Sequence, residues 1–405
     1  MGLMGLVGLI WLMTSCSNDE EPEMRLTEVP MGEVRSFATY FDEYVAKTRA
    51  WEPPTTDYVA YEDGVQTIGI AFTQNGEEAI KGTFYKSGNW HFNVTDPTKN
   101  LKENSIAEGV YYLYGYIPNT SGITFNITDR SGNNGTGANY EAGAKVVLQN
   151  VPTVMPKDLC VVIGAKHGFK QGEDDYYDGG YTDTNGNDLY DNDDTRTNRL
   201  RRGDFAYTAQ TISKESGAGN YVFLLFDHLY AALRVKMRVY GDYDELRTIK
   251  LKKLYLSTKA GETTSKDKYT ITVNLQANDG SSSPITGISY DLDPTGNTIG
   301  EDGLSFWSSD AGETLTTDFK SFTGHFMPSG ITTLVLTSEY DVYDKKGNLI
   351  RKDCEATNTM VLSSLISEQT YTQRGRRYTV NMTIQPTYLY VMSDPDLNNP
   401  TVVVN

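Results

Sequence analysis

Leu233-Arg234-Val235-Lys236-Met237-Arg238-Val239 alternates aliphatic and cationic side chains without a break. A β-strand turns successive side chains to opposite faces. The run therefore reads as a strand with one face in a core and its cations in water. Working outward, the same signal recurs. Tyr378-Thr379-Val380-Asn381-Met382-Thr383-Ile384 is its cleanest copy, and Ile249–Leu256, Tyr269–Leu275 and Thr332–Ser338 repeat it. Asp344-Lys345-Lys346-Gly347-Asn348 reads as a hairpin turn between Glu339–Tyr343 and Leu349–Cys354.

The earlier half carries the same pattern. Val65–Phe72 puts Ile68, Ile70 and Phe72 on one face. Thr83–Val94 turns at Lys86-Ser87-Gly88-Asn89 and continues with Trp90, Phe92 and Val94 on one side. Val110–Ile117 is rich in tyrosine and stops at Pro118, and Lys145–Gln149 and Leu159–Ala165 are further apolar runs. Short strands at this spacing predict a mostly β chain built as antiparallel β-sandwiches. The glycine-rich stretch at 214–220 divides it, giving domains at 50–213 and 218–405. No repeat of fixed period is present.

Composition narrows the partners. The chain has 405 residues, enough for two ordinary domains, and a net charge of −17. An acidic surface repels nucleic acid and anionic lipid alike, so neither is expected as a direct partner. The abundance of Tyr (28) and Gly (37) favours strands and turns over helices.

The N-terminal end has its own character. Met1–Met13 is apolar and uncharged, too short to span a bilayer comfortably, and Thr14-Ser15-Cys16 follows. Small residues directly before a cysteine mark a lipoprotein site. Residues 1–15 then form a signal peptide, and Cys16 carries the acyl groups that hold the protein to a membrane. No Lys or Arg precedes the apolar run, so the true start is expected upstream. The acidic Ser17-Asn18-Asp19-Glu20-Glu21 resembles the surface-export signal of Bacteroidetes lipoproteins. Through 17–50, Val34, Phe37, Tyr40, Phe41 and Tyr44 recur at spacings of three and four. That fits an amphipathic helix, or a strand that pairs only in context. Pro53-Pro54 ends any regular element there. Apart from Cys16, the cysteines are Cys160 and Cys354. An oxidising compartment would permit their disulfide, but two buried free thiols is the preferred reading.

Three stretches together resemble the fimbrillin family, the surface pilus subunits of Bacteroidetes. Phe226-Asp227-His228-Leu229-Tyr230-Ala231-Ala232-Leu233-Arg234-Val235 looks like that family's F-x-H-x-x-(A/S)-x-(L/V)-x-V pattern. Arg374-Gly375-Arg376-Arg377-Tyr378-Thr379-Val380 through Pro386-Thr387-Tyr388-Leu389-Tyr390 resembles its tail. The lipoprotein start, with Thr48-Arg49-Ala50-Trp51 a few dozen residues on, is the third. The resemblance implies two transthyretin-like sandwiches in tandem and no enzymatic activity. It implies export to the outer membrane as a lipoprotein, then cleavage of the Arg49–Ala50 bond by an arginine-specific surface protease. The acylated prosegment, 16–49, would leave, and other pilus subunits would fill the groove with a donor strand.

The tail suits donation. Thr387, Leu389 and Val391 share one face, and Val402, Val403 and Val404 form a short β-branched run. The alternative is a last strand paired within its own domain.

Other constellations carry less. His91, His167, His228 and His325 are scattered, and neither a Gly-x-Ser-x-Gly elbow nor a His-Glu-x-x-His helix occurs. His228 reads as a packed or hydrogen-bonded residue. Acids crowd Glu173–Asp194 without Lys or Arg, and Asp183–Asp188 loosely resembles a calcium loop. Its glycine is misplaced for an EF-hand, so a solvated loop is expected and no metal or cofactor. Arg202-Gly203-Asp204 is a short match that arises easily by chance. A second functional reading keeps the protein as a lipid-anchored surface binder of glycan or host ligand, using Trp90, Trp307 and the tyrosines of 176–190. A non-polymerising pilus anchor is the other alternative.

Overall fold

A computed structural model describes residues 67–87, 89–95, 105–171, 174–177, 209–212, 220–277, 284–300, 303–365 and 370–384. It also describes short strands at Leu26–Glu28, Ser36–Ala38, Asp42–Val45 and Thr401–Val402. The chain is mostly β, with several sheets whose pairings are largely antiparallel. The described helices are two single turns, Gly241–Asp244 and Leu362–Leu365.

The opening alternation is borne out. Along the Ala231–Val239 strand, Leu233, Val235, Met237 and Val239 are buried and Arg234, Lys236 and Arg238 are half-buried. The Asp344–Asn348 hairpin is also present. Asp344 accepts from the Lys346 and Asn348 backbone N–H groups, and Gly347 takes the left-handed φ of 86° that a side chain would resist.

Two apolar clusters form. The first gathers Phe72, Phe84, Phe92, Tyr111, Tyr114 and Tyr116, with Phe84 and Phe92 rings 4.9 Å apart and tilted. Its sheet runs from the Ile68–Thr73 strand through Gly109–Ile117 and Cys160–Gln171 to Asn220–His228. The second gathers Leu233, Val235, Leu254, Leu256, Tyr340 and Val380. The clusters change over between Tyr230 and Ala231. One later hairpin crosses back: Lys268–Gln276 pairs with Gly143–Pro152, and Ile271, Val273 and Leu275 join the first cluster.

The pairings are not all antiparallel. Ala231–Val239 runs parallel to Arg376–Ile384, with Leu233 opposite Tyr378 and Val239 opposite Ile384. A parallel pair needs a long crossover, and the whole second block of strands supplies it. The purely antiparallel expectation is corrected to a mixed sheet at this point.

Candidate functional site: a shared sheet edge

The Arg376–Ile384 strand has two edges, and Ala231–Val239 occupies one of them from Arg377 to Ile384. Its other edge is divided. Asp42–Val45 runs parallel along the first half, pairing Asp42 with Arg376, Glu43 with Arg377, Tyr44 with Tyr378 and Val45 with Thr379. Thr401–Val402 runs antiparallel along the second half, pairing Val402 with Met382 and Thr401 with Thr383. Both must lie on the edge opposite Ala231–Val239, because the residues they pair with are already bonded on the other side.

The lead segment reaches the first sheet as well. Ser36–Ala38 runs parallel to Asn220–His228, pairing Ser36 with Leu224, Phe37 with Leu225 and Ala38 with Phe226. The same three residues of Asn220–His228 pair on their far side with 162–165. Ser36–Ala38 is therefore a terminal strand of its sheet. Within ten residues the chain caps an edge in one sheet of each apolar cluster. Of the two readings left open for the lead, the strand is the one found in its described residues, 26–28, 36–38 and 42–45.

The acceptor strand is well anchored. Tyr378, Val380, Met382 and Ile384 are buried in the second cluster. Arg374, just before it, donates from Nη1 to the His228 carbonyl at 2.9 Å and lies 3.2 Å from the Asp227 carboxylate. The Gly375 N–H donates to the Tyr230 carbonyl. These bonds tie the start of the acceptor strand to the changeover between clusters.

Of the residues singled out in the sequence, Val402 lies on the shared edge. Cys16, Arg49, Ala50, Thr387, Leu389, Val391, Val403 and Val404 lie outside the described residues, as do 181–200 and Arg202–Asp204. Cys160 and Cys354 are both free and buried, as expected. The expected lipid and cleavage sites therefore lie outside the described residues, and of the expected donor residues Val402 alone is placed, opposite Met382.

One grouping was not foreseen. His228 stands directly across the ladder from Cys160. Its Nδ1 contacts the Asp158 carboxylate and lies 3.5 Å from Cys160 Sγ, and the thiol donates to Asp158 at 3.4 Å. Sequence separation hid this: Asp158-Leu159-Cys160 and His228 meet through strand register alone. Burial pushes the Cys160 thiol well up, and the Asp158 charge adds to it. Burial works to raise Asp158, but the His228 imidazole beside it holds its carboxyl below the usual range. A buried thiol held protonated is a poor nucleophile.

No family model matches the chain, and no curated protein does. Among solved structures, a candidate cell adhesion protein of Bacteroides uniformis is 14% identical, with a TM-score of 0.33, over 92% of this chain and 98% of its own. A candidate cell adhesion protein of Bacteroides fragilis is 9% identical, TM-score 0.36, over 92% and 98%. A fimbrial protein of Bacteroides ovatus is 10% identical, TM-score 0.29, over 92% of this chain and 55% of its own. Likeness at these scores carries no argument about fold or role.

Proposed function

We propose that this chain is a fimbrillin-type structural subunit of a cell-surface pilus, built from two sandwich domains. It is exported as an outer-membrane lipoprotein on Cys16, matured by an arginine-specific protease between Arg49 and Ala50, and polymerised by strand donation. Adhesion is the role such a filament serves, and no enzymatic activity is assigned. The observation that carries the reading is the double capping by 36–45, upstream of the candidate cleavage bond.

The physics of that arrangement favours exchange. Strands of three and four residues contribute few ladder bonds. They hold their edges because a covalent link keeps them at an effective concentration on the order of mM. Cutting at Arg49 removes the link. The vacated edges then present unpaired N–H and C=O groups, which an extended strand can satisfy. The tail already lies on the same edge, next to Val45's place. A tail that pairs with the next copy instead of its own makes a head-to-tail contact that does not close, which builds a filament.

The test is the N-terminus and intact mass of protein taken from the native cell surface. Unlipidated chains beginning at Ala50 support maturation. Chains beginning at acylated Cys16 overturn it, and leave a lipid-anchored binding protein or a pilus anchor.

A further inference from the structure

We propose that Asp158, Cys160 and His228 form a binding site for a single zinc-type transition-metal ion, independent of the pilus reading. The backbone builds the site. Cys160 opens its strand, and Asp158 lies two positions earlier in the irregular segment that leads into it, with its carboxylate 3.4 Å from the thiol. His228, the last residue of its own strand, faces Cys160 in register. Facing positions in an antiparallel ladder bring Cβ atoms within about 5 Å of each other.

Two of the three donor separations already fit an ion. An ion held at about 2.3 Å from sulfur and about 2.0 Å from nitrogen and oxygen spans tetrahedral edges of roughly 3.3–3.6 Å. The Cys160 Sγ–Asp158 Oδ2 edge is 3.4 Å and the Cys160 Sγ–His228 Nδ1 edge is 3.5 Å. The third edge, between Asp158 and His228, is a direct contact that must widen to admit the ion. Thiolate, imidazole and carboxylate together suit a borderline-soft ion and not calcium or magnesium.

Two further features suit a cation-binding role. Asp158 Oδ1 is buried without a hydrogen-bond partner among the described residues. The ligands are also held from behind. The His228 N–H donates to Asp227, and the His228 carbonyl accepts from Arg374, which fixes the backbone that aims the ring. Access is from the rim at 156–158, where Pro156 is exposed and Asp158 is 17% exposed. Binding replaces the thiol proton: the S–H bond breaks, a sulfur–metal bond forms and the proton leaves to solvent. Water takes the fourth position.

The test is titration of chelator-treated, full-length protein with Co²⁺ alone and with Zn²⁺ alone. One equivalent of cobalt should give the intense absorption of a tetrahedral ion and a thiolate-to-cobalt charge-transfer band. Cys160→Ser should abolish that band and Cys354→Ser should keep it. Asp158→Asn, on the accessible rim, should weaken zinc binding at least tenfold while leaving the circular dichroism unchanged, which decides the matter if Cys160→Ser fails to fold. Absence of the band in the wild type, its survival in Cys160→Ser, or unchanged zinc affinity in Asp158→Asn would overturn the proposal.

Discussion

Tyr378 pairs with Tyr44 on one edge of its strand and with Leu233 on the other. A residue from the N-terminal lead thus stands in the same ladder as the core of the second cluster. The tail residue Val402 stands two pairs beyond Val380 on the lead's side of that strand. Competition for one edge follows from this register.

Removing the lead should loosen the edges it caps. In a chain beginning at Ala50, kept dilute and monomeric, amide hydrogen exchange should quicken in peptides covering 376–379 and 224–226. Peptides covering 249–256, whose strand is flanked on both sides, should be unchanged. Equal exchange in both regions would mean that the lead caps nothing.

Processing should depend on one side chain. Arg49→Ala should leave the lead attached after treatment with an arginine-specific protease, with the intact mass unchanged at that bond. Arg35→Ala should be processed as the wild type is. Cleavage of Arg49→Ala at 49–50 would place specificity elsewhere.

Stability should rest on the alternating strands. Leu256→Ala removes a fully buried side chain from the second cluster and should cost about 2–5 kcal/mol, measured by urea unfolding. Glu355→Ala, on the exposed face of Leu349–Val361, should shift stability by less than about 0.5 kcal/mol.

Asp129 should give part of the stability an acid limit. It is buried and accepts from the N–H groups of Ser131, Asn133 and Asn139 and from the Asn133 side chain. Burial works to raise its pKa, but these bonds outweigh it and hold the carboxyl below its usual value. A depressed carboxylate stabilises the fold above its unfolded pKa, and the gain is lost as pH falls through the folded value. Asp129→Asn should therefore melt lower than the wild type at pH 7, and the gap should close below about pH 4. A gap that does not narrow as pH falls below about 4 would contradict the assignment.

Much of the fold was legible because strand periodicity is local. Leu233–Val239 declares its buried face in its own side chains, and Asp344–Asn348 its turn. Three things were hidden. The lead's spacing of three and four fits either a helix or a strand, and the choice is made by distant edges at Leu224 and Arg376, which no local pattern reports. The parallel pairing of 232–239 with 377–384 depends on a crossover through the intervening strands. The Asp158–Cys160–His228 grouping arises from register between strands 68 residues apart. Its one local trace is Asp158-Leu159-Cys160, a spacing that without His228 marks no metal site.

The most direct test of the central claim is assembly before and after cleavage. Purified full-length protein should sediment as a monomer. After cutting at Arg49 it should form filaments visible by electron microscopy, and a cut chain lacking 386–405 should not. Filaments that form equally well without cleavage, or a cut chain that stays monomeric at high concentration, would contradict the account.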